Sequence, residues 1–260
     1  MTNDPGLFAE PRAVTKTADC IFYHTMDIPG HGLVEGEWDL RDNPAAYLGN
    51  VDVSGKRVLE IGTASGFLCF YMERQGAEVI AYDISEHQAW DLVPYARCDY
   101  GEEVKRNKQG IRKHNNGWWF AHKAFQSKAK MVYGTVYDIP AAIGPVDIST
   151  FGSVLLHVRD PFLALQNALR LTRETVVVTE LIPVDRNNVG PYLSFKPQFQ
   201  RGQPPGTWWD LSPAIIQQII AVLGFEQSEV SYHRAGKYMG RQPALYTVVG
   251  HRTVPMPAAH

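Results

Sequence analysis

The segment Glu60-Ile-Gly-Thr-Ala-Ser-Gly66 is the part of the sequence best suited to hold a ligand. Its small residues let a bound molecule approach the backbone, and a turn that opens a helix presents unpaired N–H groups. Asp83 follows Gly62 by twenty-one residues. A carboxylate there, at the end of the next strand, can accept two hydrogen bonds from the vicinal hydroxyls of a ribose. A glycine-rich turn alone could simply connect a strand tightly to a helix; the pair points to a nucleoside site. The nine histidines include no His-x-x-x-His or His-Glu-x-x-His pair, so no metal-binding residues are expected.

Two strands and a helix must position this pair. The apolar run from Lys56 to Gly62 predicts a buried strand, residues 67–75 a helix stopped by Gly76, and Glu78 to Asp83 a second strand. Such a βαβ unit implies a parallel sheet with right-handed crossovers. Further strands are predicted at 132–138, 146–151 and 175–180, with a helix opened by Pro161 before the last of them. Between the second and third strands the sequence predicts two helices, about 86–96 and 117–126, around a solvated loop carrying Lys105, Arg106, Lys108, Arg112 and Lys113. The piece from Pro183 to Trp209, with Pro183, Pro191, Pro197, Pro204 and Pro205, reads as an ordered excursion over the sheet edge. Ser212-Pro opens a helix that ends at Gly224, and the runs at 228–233 and 244–249 flank Gly236 and Gly240 as an antiparallel hairpin would.

Composition narrows the class. The 260 residues are 45% hydrophobic and 11% aromatic, enough for one large domain or two small ones. Lys and Arg number 25 against 27 Asp and Glu, a net charge of −2, which gives no global field to concentrate a polyanion. Nucleic acid is therefore disfavoured as a partner. Cys20, Cys69 and Cys98 form no Cys-x-x-Cys pair, so a reducing cytoplasm is expected. No basic start with an apolar run, and no stretch of about 18 uncharged apolar residues, predicts secretion or membrane spanning.

The turn departs from the Gly-x-Gly-x-x-Gly of dinucleotide sites. As Glu60-x-Gly62-x-Ala64-x-Gly66 it resembles motif I of the class I S-adenosylmethionine-dependent methyltransferases, with Ala64 in place of the middle glycine. Phe22-Tyr-His-Thr-Met-Asp-Ile-Pro, Glu37-Trp-Asp-Leu-Arg, Val136-Tyr-Asp-Ile, Leu155-Leu-His-Val-Arg-Asp-Pro and Trp208-Trp-Asp-Leu-Ser-Pro resemble, in this order, the branch related to the tRNA wobble-uridine carboxymethyltransferase, a DUF1698-like family. The resemblance spans about residues 20–225. It implies an α/β, Rossmann-like fold with a seven-stranded, mostly parallel sheet and a C-terminal antiparallel hairpin. One methyltransferase domain is expected over 1–260: an N-terminal cover over the active site (1–50), a cofactor-binding core (51–182), the edge excursion (183–210), and a C-terminal helix and hairpin (211–260).

The implied cofactor is S-adenosylmethionine. Glu60 and Gly62 would meet its methionine end, Asp83 the ribose, Asp138 the adenine amino group, and Ile84 and Tyr137 the adenine faces; Thr63, Ala64, Gly66 and Phe151 complete the set. Asp138 could instead simply end a strand, and Tyr137 could be core. His157 after the fourth strand, Glu180 at the end of the fifth, and His24 are the candidate catalytic bases, with His157 the first choice; it could equally brace the helix start at Asp160-Pro161. Tyr23, Trp38 and Trp208 are candidate acceptor-binding residues, against the alternative that they pack. The near-neutral charge favours a small-molecule acceptor, plausible in specialised metabolism, over RNA. With about fifty residues ahead of the first strand, the ordinary cofactor is expected over its carboxylated form. A non-catalytic nucleoside-binding module is the alternative from another class.

Overall fold

The computed structural model of the protein describes residues 6–183, 190–198 and 206–255. Seven strands form the central sheet: β1 (Arg57–Ile61), β2 (Glu78–Asp83), β3 (Lys130–Tyr133), β4 (Val146–Gly152), β5 (Thr172–Leu181), β6 (Gln227–His233) and β7 (Leu245–His251). Their order across the sheet is β6-β7-β5-β4-β1-β2-β3. β1 through β5 run parallel to one another, and β7 enters antiparallel between β5 and β6, with Ser231 opposite Thr247 and Thr247 opposite Thr179. The Rossmann-like sheet and its terminal antiparallel hairpin are therefore as expected.

Alternation along the strands splits the core between two faces. Val58, Val79 and Ala81 pack with α1 (Phe67–Arg74) and α2 (Tyr100–Phe125), whereas Leu59, Ile61, Ile80 and Tyr82 pack with α3 (Pro161–Leu169) and α4 (Pro213–Val222). Asp160 caps α3 through a 2.9 Å bond from the Leu163 N–H, and Ser212 caps α4 through the Ile215 N–H, each ahead of a proline at the first helical turn.

Three expectations are corrected. Residues 84–99 form no helix; instead α2 runs unbroken over Tyr100–Phe125, through what reads as a loop. Up to residue 116 its buried residues are Asn107, Ile111 and Asn115, a helical spacing in which two of three positions are polar, so apolar periodicity does not reveal this part of the helix. Asn107 accepts the Trp90 N–H (2.7 Å) and Asn115 donates to the Ile84 carbonyl (3.1 Å), which holds residues 84–92 as an irregular segment against the helix. The third strand ends at Tyr133, not 138. The Gly134 N–H turns to the Asp83 carbonyl, and a Cβ on Gly134 would meet the Tyr82 hydroxyl. In the edge excursion, Leu193–Phe195 pairs antiparallel with Trp209–Leu211, whereas Pro204 and Pro205 lie outside the described residues.

The N-terminal segment crosses the carboxyl edge of the sheet. It docks on α2 through the Ile21 N–H to the Lys113 carbonyl and the Asn116 amide to the Asp19 carbonyl, and its Trp38–Asp39 pairs with Lys237–Tyr238. Gly117 permits this docking, because a Cβ there would lie 2.6 Å from the Ile21 carbonyl oxygen. Gly117→Ala should therefore destabilise the protein by about 1–2 kcal/mol in urea unfolding, although alanine favours helix by about 1 kcal/mol. An unchanged or raised midpoint would show that the segment does not press on α2.

Candidate active site

β1 delivers Glu60 and β2 delivers Asp83 to the same edge. Gly62 (φ +76°) turns the chain out of β1 with its N–H on the Tyr82 carbonyl, and Gly66 (φ +89°) starts α1 with its N–H on the Thr63 carbonyl. At Gly66 a Cβ would meet Phe70 and Trp118 within 3 Å, so only glycine fits the helix start against α2. Ala64, where the resemblance implies glycine, also stands at positive φ (+50°). Its N–H donates to Asp83 Oδ2 at 2.8 Å, and the Ile84 N–H donates to Oδ1 at 2.8 Å.

The carboxyls here are held towards their neutral forms. Burial raises Asp83 to about 6 against two backbone donors. Glu60, 4% exposed, is raised to about 7 by burial and by the charge of Asp83, and its Oε2 has no hydrogen-bond partner. Glu180 at the end of β5 is buried and raised to about 8, with Oε1 accepting the Leu155 N–H at 2.8 Å.

A small cavity opens beside the turn, with an internal volume of about 30 Å³. Glu60, Gly62 and Phe151 line it from the sheet; Tyr23, His24 and Trp38 line it from the N-terminal segment. The structure thus gathers six of the residues singled out in the sequence. Thr63, Ala64, Gly66, Asp83 and Ile84 flank it along the turn and the end of β2. Two residues missed in the sequence face it as well. Tyr47, delivered by the short helix Pro44–Tyr47 that Asn43 caps, places its hydroxyl 3.2 Å from Ser153 Oγ just past β4. Ser153 has φ +53° and its N–H on the Thr179 carbonyl, a strained backbone of the kind found at functional sites. The Asn-Pro cap ahead of Tyr47 is the one signal that could have drawn attention to it.

Other candidates lie outside the lining. His157 is exposed, and its Nδ1 pairs with the Gly206 carbonyl. Asp138 is exposed in the turn after β3. Tyr137 donates its hydroxyl to Asp91 (2.5 Å) and accepts the N–H groups of Arg159 (2.7 Å) and Asp160 (3.2 Å). Asp91 also pairs with the Arg159 guanidinium at 3.0 Å, while its carbonyl accepts the Trp208 indole N–H and Arg159 lies over the Trp208 ring. Tyr137 and Trp208 therefore meet in a network that ties residues 84–92 to the start of α3 and to the edge ribbon. No group of three or more His, Cys, Asp or Glu side chains among the described residues could hold a metal ion, and no described helix is long and apolar enough to cross a membrane.

Comparison with known proteins gives the same architecture. The N-terminal domain of EvdMO1, solved with S-adenosylhomocysteine and D-fucose, superposes with a TM-score of 0.52 at 16% identity, covering 89% of this chain and 91% of that one. Magnesium protoporphyrin IX methyltransferase from Synechocystis PCC 6803, solved with S-adenosylmethionine, gives 0.51 at 13% identity (82% and 78% covered). The 1,6-didemethyltoxoflavin-N1-methyltransferase of Burkholderia thailandensis gives 0.50 at 13% identity (83% and 78% covered). No curated protein matches the sequence. A methyltransferase-domain family model matches residues 37–215, more than half of the chain, with the β1 turn, Asp83 and the ends of β4 and β5 inside it. The chain belongs to this methyltransferase-domain family.

Proposed function

We propose that the protein transfers a methyl group from S-adenosylmethionine to an oxygen, nitrogen or carbon of a small-molecule acceptor. The observation that carries this reading is the convergence of Glu60 and Gly62 with Tyr23, His24 and Trp38 on one cavity at the carboxyl edge of the sheet. Crevices at that edge are where such sheets take their ligands. The solved structures that share the fold hold S-adenosylmethionine or its demethylated product, and one holds the small acceptor 1,6-didemethyltoxoflavin.

The residues fit this cofactor. Each Asp83 oxygen accepts one backbone N–H and keeps a lone pair for a ribose hydroxyl. The unpartnered Glu60 oxygen suits the ammonium of the methionine end, beside the backbone of Gly62, Thr63, Ala64 and Gly66. Ile84 and the Tyr137 ring suit the adenine faces, Asp138 its amino group, and Phe151 the cavity wall. When bound, the cofactor supplies an electrophilic methyl on a sulfonium. Trp38, Tyr23 and Phe151 would orient the acceptor towards that methyl and keep water out of the cavity they line. With Nδ1–H held by the Gly206 carbonyl, His157 Nε2 is the proposed acceptor of the proton the substrate loses.

Among the described residues that line the cavity there is no lysine or arginine, which favours the ordinary cofactor over a carboxylated one that would bring a second negative charge. The likeness to the wobble-uridine branch is the rival reading. Against it, Lys105 and Arg106 of the basic run pair with Glu102 and Glu103 on the same helix, leaving less positive charge for a polyanion. Titration with both cofactors separates the two: tighter binding of S-adenosylmethionine is expected, and preference for the carboxylated form would overturn the proposal.

Asp83→Ala should weaken S-adenosylhomocysteine binding about 10- to 100-fold, as loss of charge-assisted hydrogen bonds does, with an unchanged far-ultraviolet circular dichroism spectrum. Equal affinity would misplace the ribose. His157→Ala should lower the methyl-transfer rate by roughly 100-fold at saturating substrates while cofactor affinity holds; a full rate would remove it as the base. The buried carboxyls also fix a pH dependence. Glu60 and Glu180 ionise near 7 and 8 in the folded protein, above the ordinary 4.5, so the folded state binds more protons than the unfolded chain between these values. Above pH 6.5, where His24 and His114 are uncharged in both the folded and the unfolded chain, stability of the ligand-free protein should fall as pH rises to about 8, with Glu180→Gln flattening the slope. A melting temperature that rises across this window would contradict the burial of these groups.

A further inference from the structure

Asp91 joins segments that lie far apart in the sequence. Its Oδ2 accepts the Tyr137 hydroxyl (2.5 Å) from the turn after β3 and the Arg159 N–H (2.6 Å) from the turn before α3. Its Oδ1 pairs with the Arg159 guanidinium at 3.0 Å, and its carbonyl accepts the indole N–H of Trp208 at the edge ribbon. The Tyr137 oxygen completes the ring of contacts by accepting the N–H groups of Arg159 (2.7 Å) and Asp160 (3.2 Å). Asp91, Tyr137, Arg159 and Trp208 all stand outside the helices and strands. Bonds to a charged group are among the stronger ones in proteins, and here they tie loops to loops.

Position gives this ring its meaning. Ile84 and the Tyr137 ring are the faces assigned above to the adenine, and Asp91 lies on the same irregular segment as Ile84. The bond from Asp91 to Tyr137 therefore runs from the segment that carries one face to the residue that forms the other. On the inner side, Leu92 and Val93 are buried and anchor the segment. On the outer side, the Arg159 side chain is 57% exposed, so the ring can open towards solvent without disturbing the core. The cavity beside the β1–α1 turn, at about 30 Å³, is well below the roughly 300–1,000 Å³ of a ligand pocket. The segments that border this edge must part to admit a nucleoside.

We propose that Asp91 is the clasp of the cofactor site: its bonds to Tyr137 and Arg159 hold residues 84–92 against the turn after β3, and their release lets the cofactor enter and leave. This rests on the S-adenosylmethionine reading above and on its placement of the adenine, and adds a positioning residue that acts through Tyr137. The clasp also reaches the edge ribbon. Arg159 lies over the Trp208 ring, the Trp208 N–H binds the Leu156 carbonyl (2.8 Å), and the Trp209 indole binds the Val158 carbonyl (3.0 Å). Opening at Asp91 thus loosens the ribbon as well. A residue that only supports packing leaves the path of a ligand unchanged, whereas a clasp sets how fast a ligand crosses it. The observed association rate is the intrinsic rate multiplied by the fraction of open molecules, so weakening the clasp raises it.

The test is stopped-flow tryptophan fluorescence on the full chain with S-adenosylhomocysteine as the probe. Asp91→Ala and Tyr137→Phe, which keeps the ring, should each raise the association rate constant about tenfold, as loss of a hydrogen bond to a charged group allows, and raise the dissociation rate constant too. Asp91→Asn, which keeps an acceptor oxygen without the charge, should fall between these variants and the wild type. The double variant Asp91→Ala/Tyr137→Phe should match the single ones, because both remove the same bond. An association rate that is unchanged or lowered in either single variant would make Asp91 a packing residue and overturn the proposal, as would a double variant whose effect is the product of the two. If Asp91→Ala does not fold, Tyr137→Phe and Asp91→Asn decide by the same criterion. Failure of the wild type to bind S-adenosylhomocysteine would overturn the cofactor reading itself.

Discussion

The Asp83 carboxylate accepts the Ala64 N–H at 2.8 Å across neighbouring strand ends, and the arrangement of the site follows from that bond. Ala64 stands at φ +50°, where a residue with a Cβ is disfavoured by about 1–2 kcal/mol. A charge-assisted hydrogen bond is of the size needed to offset that cost. With Ala64 held, Gly62 and Gly66 complete a turn whose first N–H closes on the Tyr82 carbonyl and whose last residue opens α1. The bond also fixes the carboxylate itself, so the lone pairs that remain point along the carboxyl edge of the sheet. A strand, a helix and the next strand are thereby locked to one another at the carboxyl edge of the sheet, where crevices in such sheets take ligands.

Around this bond the protein has buried carboxyls that it holds close to neutral. Glu60, Asp83 and Glu180 all have raised pKa values, and in each case desolvation is the leading cause. These values lie near neutrality, so this edge of the sheet carries less fixed negative charge than the same carboxyls would in water. The walls are aromatic and come from two directions, Phe151 from the sheet and Tyr23 and Trp38 from the segment laid across it. The segment is anchored on α2 at Gly117 and on the 237–238 strand, so its position depends on elements far from it in sequence.

How much of this was legible depends on the pattern each element carries. The strands of the sheet are short apolar runs bounded by turn residues, α3 and α4 carry Asp160 and Ser212 caps with a following proline, and β1, α1 and β2 enclose the Glu60–Gly66 turn and Asp83. All of these are local signals. Helix α2 is different: its inward face includes Asn107 and Asn115, whose amides bond the irregular segment 84–92, and a polar inward face looks solvated until its partner is known. Tyr137 was found, but its hydroxyl belongs to the Asp91 and Arg159 network, a commitment that no spacing within its own motif contains.

By itself the sequence determined the class of sheet, the turn that opens α1, the acid at the end of β2 and hence the kind of ligand the edge could hold. These depend on residues within one βαβ unit, where hydrophobic period, glycine and capping chemistry act over a few positions. Only the tertiary structure decided which distant side chains share that edge: Tyr47 against Ser153, His24 against the start of α1, His114 beside Tyr23, and His157 on the Gly206 carbonyl instead of in the cavity. Those contacts depend on how the N-terminal segment, α2 and the edge excursion pack. Packing is set by the summed burial of surfaces from the whole chain, which no local window of residue types records.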